Sequence, residues 1–302
     1  MPLNDKLLLQ AVRILPRHGV TRLLGTAASW QLPVAAREPV YRTFANAFGA
    51  DVDEAEYDLK AYPSFNEFFS RRLRLGLRPW MAAGDEVAMP ADGRLDQFGR
   101  ASEGRLIQAK GIDYRAEALL GVAEDLAWTR DAWFATIYLS PADYHRVHVP
   151  CDASFHEIRR TGGELWPVNN ISVPNVDGLF VVNERVAAQF QFRDGRRGAL
   201  VMVAATIVGG IELAAALPSV AGAGAVWQAG AAEPRIRLDA GAEFGRFLLG
   251  STAVLLIEDP KGEFTPAPDA VAGASVRLGQ PLLLRSAPVT EPTTPRRRRG
   301  RG

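Results

Sequence analysis

From about Val87 onward, the sequence is a series of short apolar runs separated by Gly, Pro and Asp. Short apolar runs bounded by turn-forming residues are typical of β-strands. The clearest runs are Phe134–Leu139, Gly178–Val182, Ala199–Val208 and Thr252–Ile257. This pattern predicts a β-rich body. It excludes a coiled coil or a repeat protein, because neither a heptad repeat nor a longer sequence repeat is sustained.

The first 30 residues have a different pattern. Within residues 3–30, leucines alternate with Lys6, Arg13 and Arg17, and Pro16 divides the stretch into two predicted short helices. A basic amphipathic helix pair can lie in a membrane interface, with its apolar side chains among the acyl chains. Packing of the same helices on the protein core is an equal alternative.

Residues 36–75 are also predicted to be helical, and their aromatic spacing indicates packing in a core. The fold class is therefore predicted to be α+β, with amphipathic helices followed by a β-rich catalytic body. We place a helical region at 1–75, a catalytic domain at 76–285 and a disordered basic tail at 286–302. The aromatic and apolar positions concerned are Tyr41, Phe44, Phe48, Phe65, Phe68, Phe69 and Leu73.

The charge is unevenly distributed. The chain has 35 basic and 34 acidic side chains, and five of the arginines lie within residues 296–301. Without them, 30 basic residues face 34 acidic ones, a net charge of −4. A mildly acidic body argues against a nucleic-acid-binding surface, which needs Lys and Arg clustered on folded elements.

Cysteine content and hydropathy indicate a cytoplasmic-side location. The single cysteine, Cys151, cannot form an internal disulfide, and the N-terminus does not resemble a secretory signal. The window from Gly198 to Ala232 has Glu212 as its one charge, but Gly209-Gly210 and Pro218 interrupt it. We therefore predict buried strands there and not a membrane span.

Two of the four histidines, His145 and His148, lie close together before Cys151. This spacing could suit zinc, but a structural site needs a fourth ligand and the chain has no second Cys/His pair. The flanking sequence instead predicts a strand to Leu139, a helix start at Ser140-Pro141, and an extended segment at 147–149. The histidines would then lie on a sharp turn, where one of them could act as a general base.

Asp92 and Ser251 complete a candidate triad. Asp92 lies in a Pro/Asp/Gly turn, and Ser251 follows Gly250 just before an apolar strand. With His145 or His148 as the base, they supply the acid and nucleophile, because triads are recognised by role and not by sequence order. The segment around Ser251 does not match the G-x-S-x-G elbow of esterases.

Taken together, these motifs resemble the phosphatidylserine decarboxylase family of the shorter bacterial type. The resemblance runs in matching order from about residue 60 to 285. The segments that carry it are PADG at 90–93, YLSPADYHRVHVP at 138–150, FLLGST at 247–252, SFNEFFSRRL at 64–73, GGELWPVN at 162–169, VVNERVA at 181–187 and VAATIVGGIE at 203–212.

The resemblance implies a self-cleaving proenzyme. Ser251 would attack the carbonyl of Gly250, with His148 as base and Asp92 orienting the imidazole. Elimination would then leave a β subunit of residues 1–250 and an α subunit of residues 251–302. Ser251 would become a covalent pyruvoyl group, which acts as an electron sink.

The resemblance also implies the substrate. Phosphatidylserine in an anionic membrane would form a Schiff base with the pyruvoyl group, lose CO2 and leave as phosphatidylethanolamine. His145 is the candidate for positioning the carboxylate or delivering the proton. A lipid substrate favours interfacial docking of residues 3–30 and a peripheral location on the cell membrane, and a homo-oligomer beyond the α/β pair stays open.

Three alternatives remain at this point. A pyruvoyl enzyme could act on a different amine, and a serine hydrolase could use Asp92, His148 and Ser251 without self-cleavage. A non-catalytic membrane-binding protein would leave Ser251 in an uncut chain.

Overall fold

The computed structural model describes residue 10 and residues 16–109, 111–206, 210–230, 234–248 and 251–285, with the backbone alone at Ser251. Helices precede a body of antiparallel sheets, which confirms the predicted α+β class. The helices are α1 (Arg17–Ser29), α2 (Val34–Phe48), α3 (Phe65–Phe69), α4 (Ala116–Leu120) and α5 (Leu179–Val182), with 3-10 turns at Leu59–Ala61 and Ala127–Thr129.

The strands form one large sheet and three small ones. They are β1 (Val87–Ala88), β2 (Gly93–Arg100), β3 (Arg105–Ala109), β4 (Ile112–Arg115), β5 (Trp133–Leu139), β6 (Arg146–His148), β7 (Ala153–Thr161), β8 (Arg185–Gln191), β9 (Arg197–Val203), β10 (Ile211–Leu213), β11 (Val226–Gln228), β12 (Ile236–Leu238), β13 (Glu243–Phe247), β14 (Ser251–Ile257), β15 (Phe264–Pro266), β16 (Ser275–Val276) and β17 (Pro281–Arg285). The large sheet has the order β11-β7-β8-β9-β14-β5-β2-β16, and β12 also pairs with β7. The small sheets are β10-β13-β6, β1-β17-β15 and β3-β4.

Strand β14 lies in the middle of the large sheet. It pairs with β5 from Ser251 opposite Leu139 to Ile257 opposite Trp133, and with β9 on its other side. The side chains of residues 252–257 are all buried. A strand that is buried on both faces has a nearly continuous apolar sequence. The apolar run in the sequence therefore predicted this strand correctly.

One of the apolar runs differs from the prediction, and a second, Ala199–Val208, forms strand β9 as far as Val203. The run Gly178–Val182 forms the helix α5 and not a strand, because Gly178 takes a left-handed conformation (φ 61°) that turns the chain. The Leu179 amide then donates to Gln108 Oε1 at 2.7 Å. A short apolar run cannot be assigned to strand or helix from its periodicity alone. In the second run, residues 207–208 lie outside the described residues.

The predicted helical segment at 36–75 is wrong over much of its length. Helix α2 ends at Gly49, which is left-handed (φ 76°), and helix α3 is a single short helix capped by Ser64. The aromatic side chains nevertheless pack as predicted, with the Tyr41 and Phe68 rings stacked at 4.4 Å. Phe48 is the exception, since 54% of its surface is exposed.

Helix α1 begins directly after Pro16, in agreement with the predicted break. Residues 1–9 and 11–15, which contain most of the other predicted helix, lie outside the described residues. Arg17 ties α1 to the body: its guanidinium bonds to Glu164 at 2.5 Å and lies 4.1 Å from the centre of the Trp166 ring. Ser29 accepts a bond from Asn66 at the other end of α1.

The window from 198 to 232 contains strands, as predicted. Strand β9 is buried, whereas β10 and β11 are short and partly exposed, with Val226 at 41% exposure. None of the helices in the described part of the chain is both long and apolar enough to cross a bilayer. The predicted tail at 286–302 lies outside the described residues.

Gly93 fixes the approach of strand β2 to strand β5. Its φ of 150° is unfavourable for other residues, and a Cβ atom at this position would lie 2.3 Å from the carbonyl oxygen of Tyr138. Only glycine allows the two backbones to come this close. Asp92, the residue before it, is thereby held at the end of β5.

We predict that Gly93→Ala lowers the free energy of unfolding by about 2 kcal/mol or more, because the new methyl group meets backbone atoms. Urea denaturation monitored by circular dichroism, in a Ser251→Ala background that keeps the chain in one piece, measures this. Gly99→Ala is the matched control, since a Cβ there meets only Phe134 at an ordinary 3.9 Å. Equal stability of the two variants would contradict the argument.

Candidate functional site

The two histidines are placed by a turn between strands β5 and β6. Asp143 Oδ2 accepts a hydrogen bond from the Ser140 amide at 2.6 Å, and the Asp143 amide donates to the Ser140 carbonyl at 2.9 Å. The predicted helix start at Ser140-Pro141 is therefore wrong, because the Asp143 side chain closes a turn before any helix can begin. The extended segment that follows is confirmed as β6, so the histidines do lie at a turn.

His148 has a defined tautomer. Its Nδ1 lies 2.8 Å from the carbonyl oxygen of Gly241, and its Nε2 lies 3.1 Å from the hydroxyl of Tyr144. A carbonyl can only accept, so Nδ1 carries the proton, and Nε2 accepts from the Tyr144 hydroxyl. Burial lowers the pKa of His148, with the Glu243 and Asp92 charges acting in the opposite direction. The ring is therefore neutral near pH 7 with its lone pair on Nε2, as a general base requires.

Asp92 is buried and anchored by other groups. Arg78 donates to its carboxylate through Nε at 2.8 Å and Nη2 at 2.6 Å, and the Leu278 amide donates at 2.8 Å. Arg78 also binds Glu54, with Nη2 to Oε2 at 2.8 Å. Burial lowers the pKa of Arg78, whereas its hydrogen bonds to Glu54 and Asp92 raise it, and the pKa is raised overall.

The direct Asp92–His148 hydrogen bond expected for the triad is therefore not what the structure shows. The backbone carbonyl of Gly241 orients the imidazole instead. The His148 amide donates to the carbonyl of Pro90 at 2.8 Å, which joins strand β6 to the turn that contains Asp92. The charge of Asp92 acts on the imidazole by raising the pKa of His148, against the effect of burial.

The chain on both sides of the predicted cleavage point is fixed to the histidine turn. The Phe247 amide donates to the His145 carbonyl at 3.0 Å, and Ser251 pairs with Leu139 at the end of β5. Gly250 and the side chain of Ser251 lie outside the described residues. Phe247 and the backbone of Ser251, on either side of this point, lie at the same end of the sheet as Asp92, His145 and His148.

His145 is fully buried beside Phe69, with the two ring centres 4.0 Å apart. Its Nδ1 bonds to the carbonyl of Asp143 at 2.8 Å, whereas its Nε2 has no hydrogen-bond partner within the described residues. Burial lowers the pKa of His145 to about 3. A buried polar atom without a partner is uncommon in folded proteins and often marks a functional group.

A metal site receives no support from these residues. Both ring nitrogens of His148 already have protein partners, and burial raises the pKa of Cys151, which disfavours the thiolate that zinc needs. In the described ranges no three His, Cys, Asp or Glu side chains are grouped so as to hold a metal ion.

Sequence reasoning missed Arg78, Glu54, Tyr144 and the Gly241 carbonyl. Tyr144 is the only one with a local signal, since it lies four residues before His148 in the same motif. Glu54 lies in the helical region, Arg78 lies just after it, and Gly241 lies 93 residues after His148. Contacts between such distant positions have no periodic signature.

Comparison with known proteins identifies the family. A family model described as phosphatidylserine decarboxylase matches residues 65–284. The chain belongs to the phosphatidylserine decarboxylase family.

Full-length relatives of this family have similar lengths. A phosphatidylserine decarboxylase proenzyme from Anaeromyxobacter sp. (strain K) is 40% identical over 282 residues, which cover 93% of this chain and 99% of the relative. The proenzyme from Yersinia enterocolitica is 40% identical over 296 residues, covering 95% and 99%. The one from Myxococcus xanthus is 38% identical over 280 residues, covering 92% and 98%. The likeness therefore extends beyond the family model to the N-terminal helices.

The low pKa of His145 predicts a specific dependence of stability on pH. Its folded pKa, about 3, lies below its ordinary value of 6.5, so the unfolded chain binds the proton more readily. Stability is therefore complete above about pH 6.5 and falls as the pH falls towards 3. Through this histidine, the free energy of unfolding should fall by about 2 kcal/mol between pH 7 and pH 5. His145→Asn, compared in a Ser251→Ala background, should abolish this part of the decrease.

Urea unfolding at both pH values measures this change. His156→Asn serves as comparison, because His156 is only partly buried and should contribute less. An unchanged pH slope in the His145 variant would show that His145 does not control it.

Proposed function

We propose that this chain is a phosphatidylserine decarboxylase proenzyme, which cuts itself between Gly250 and Ser251 and then converts phosphatidylserine to phosphatidylethanolamine. The observation that carries the proposal is the attachment of the chain around residues 247–251 to the histidine turn, by Phe247 on one side and Ser251 on the other. This attachment supports the proposal, because Phe247 and the backbone of Ser251 lie at the same end of the sheet as a neutral histidine.

In the proposed cleavage, Nε2 of His148 takes the proton of the Ser251 hydroxyl, and the Ser251 oxygen attacks the carbonyl carbon of Gly250. The bond from that carbon to the Ser251 nitrogen then breaks as the protonated imidazole returns its proton to that nitrogen, which leaves an ester and a free amine. The negative charge of Asp92, held in place by Arg78, stabilises the protonated imidazole. The hydroxyl of Tyr144, which now bonds to Nε2, has to move aside first.

The ester then loses the Ser251 Cα proton to Nε2 of His148, which is neutral again, and its Cβ–O bond breaks. This leaves a carboxylate on Gly250 at the end of residues 1–250. Hydrolysis releases ammonia from the other piece, residues 251–302, and leaves a ketone at position 251. Each step uses groups that this chain contains, together with one water molecule.

The resulting pyruvoyl group supplies an electron-withdrawing carbonyl that makes loss of CO2 from an amino acid favourable. The surroundings suit such a group, because His145 Nε2 is buried and lacks a partner among the described residues, and the backbone carbonyl of the same residue accepts a hydrogen bond from the Phe247 amide. Loss of CO2 from a carboxylate consumes one proton, which comes from solvent. In the proposed step His145 Nε2 receives this proton and passes it to the substrate Cα, and the ring returns to the neutral form that burial favours by lowering its pKa to about 3.

The two proposed pieces would stay together as subunits. Strand β14 would belong to the smaller piece, yet it pairs with β5 and β9 of the larger piece along its whole length. Its buried side chains add apolar contact on both faces of the sheet. Separation would expose this core, so an α/β pair follows from the sheet order.

The intact mass of the purified protein under denaturing conditions tests the cleavage. We expect two chains, residues 1–250 and residues 251–302, with the smaller one lighter by one ammonia than a peptide that begins with serine. Ser251→Ala should give one uncut chain without decarboxylase activity. Ser275→Ala, an exposed serine on β16, should be cut like the wild type.

A single uncut wild-type chain would refute the proposal. Labelling of that uncut chain by a serine-directed phosphonate would then favour the serine hydrolase.

We also propose that the protein docks on the membrane surface through its N-terminal helices. Leu23 and Trp30 in and after α1 are 70% and 65% exposed, and Val34 at the start of α2 is 56% exposed. Large apolar side chains grouped on one exposed surface are typical of interfacial helices. This arrangement would bring the site to a substrate that never leaves the bilayer.

Vesicle sedimentation tests the docking. Leu23→Glu combined with Trp30→Glu should lower the fraction bound to vesicles containing anionic phosphatidylglycerol by about tenfold or more, because two apolar anchors are lost. Self-cleavage should be unchanged. Val271→Glu is the control, since Val271 is equally exposed (58%) but lies between β15 and β16. Deleting residues 1–30 should likewise release the protein, and unaltered binding of the variants would contradict this assignment.

A further inference from the structure

A cleft of about 490 Å³ lies between the helical region and the small sheet β10-β13-β6. Tyr57 and Arg71 line it from the helical region, and Arg146, Glu212 and Arg246 line it from the sheet. Arg146 directly follows His145, so the cleft adjoins the histidine turn. It is large enough for a lipid headgroup.

The arginines of the sheet side are paired with carboxylates. Arg146 bonds to Glu243 at 2.7 Å, and Arg246 bonds to Glu212 at 2.7 Å. Arg72, at the rim, reaches Glu243 at 3.4 Å. Each of these arginines therefore has a carboxylate partner within the cleft, and its charge is already compensated.

Arg71 is different. Only 3% of its surface is exposed, and no carboxylate in the described part of the chain lies within 4.0 Å of its guanidinium. Its Nη2 donates to the carbonyl of Asp51 at a long 3.3 Å, while Nε and Nη1 have no described hydrogen-bond partner. A buried charge without a counter-charge is costly, and an anion that binds it recovers that cost.

The position of Arg71 relates it to the proposed reaction. Phe69, two residues earlier, packs on the ring of His145, and the charge of Arg71 acts on that histidine together with burial. An anion at Arg71 would therefore lie near the group that we propose handles the proton. Phosphatidylserine offers two anions, a carboxylate and a phosphodiester.

The phosphodiester is the better partner on chemical grounds. The carboxylate loses its charge as CO2 leaves, so a buried cation bound to it would stabilise the substrate more than the transition state. The phosphodiester keeps its charge throughout, so binding it holds the substrate without raising the barrier. Guanidinium N–H groups also suit phosphate oxygens in geometry.

We propose that Arg71 forms a phosphate-binding subsite in this cleft and holds the phosphodiester of the lipid headgroup. The assignment to the headgroup rests on the proposed function, whereas binding of a phosphate group at Arg71 does not.

The first test compares Arg71→Gln with the wild type in two assays. Decarboxylation of phosphatidylserine in detergent micelles should show KM raised by about tenfold or more, with kcat changed by less than about threefold. Isothermal titration calorimetry with inorganic phosphate should show binding to the wild type that is at least about fivefold weaker in the variant. Arg237→Gln, an exposed arginine on β12 that is remote from the cleft, controls for the loss of one charge.

Self-cleavage, measured by intact mass, reports whether the Arg71 variant folds. If Arg71→Gln is not cut, Arg71→Lys decides the matter, because it keeps the charge and loses the guanidinium geometry. We expect Arg71→Lys to be cut and to weaken phosphate binding by about fivefold.

The assays separate the two sources of a phosphate group. A raised KM together with weaker phosphate binding supports the headgroup assignment. Weaker phosphate binding with an unchanged KM supports a site for free phosphate and overturns the headgroup assignment. Equal phosphate binding by the wild type and the variants overturns the subsite altogether. A wild type that binds phosphate at Arg71 but releases no CO2 would refute the proposed function and leave the subsite standing.

Discussion

The pairing of strand β14 with strands β5 and β9 is the constraint on which the site depends. It fixes the backbone of Ser251 opposite Leu139, at the point where β5 leads into the histidine turn. A shift of one residue would turn every buried side chain of β14 to the opposite face of the sheet. Both faces of the sheet are packed at β14, so such a shift would disturb the contacts on both, and the register and the backbone position of Ser251 are strongly determined.

The two histidines show how neighbouring positions acquire different properties. His148 has partners on both ring nitrogens, whereas His145 has a described partner on Nδ1 alone. Burial lowers the pKa of both, so both are neutral at physiological pH. Groups whose environments differ in this way can take separate roles in one site. A base for cleavage and a proton carrier for decarboxylation are such roles.

The sequence predicted those parts of the fold that depend on local pattern. The central strands appear as apolar runs, and the motifs around Asp92, His145 and Ser251 lead to one end of one sheet. The short helix at Leu179–Val182 and the turn at Ser140 were assigned wrongly, because one glycine and one aspartate override the apolar and helix-start signals. In the first case the Leu179 amide also donates a long-range hydrogen bond to Gln108, whereas in the second a local bond between residues three apart closes the turn.

The partners of the catalytic groups were the least predictable part. Arg78 binds Asp92 across 14 residues, and the Gly241 carbonyl reaches His148 across 93. Neither residue differs in type from many others in the chain. Every residue has a backbone carbonyl, so residue types could not predict which carbonyl binds Nδ1 of His148.

The contact of Arg17 with Glu164 and Trp166 has a mechanical consequence. These residues begin the segment that continues to Asn169 and Asn170, which line a second cavity beside Tyr138. Tyr138 lies opposite Thr252 in the sheet, one position from Ser251. Helix α1 is therefore joined through the side chain of Arg17 to the segment that lines this cavity at the Ser251 end of β14.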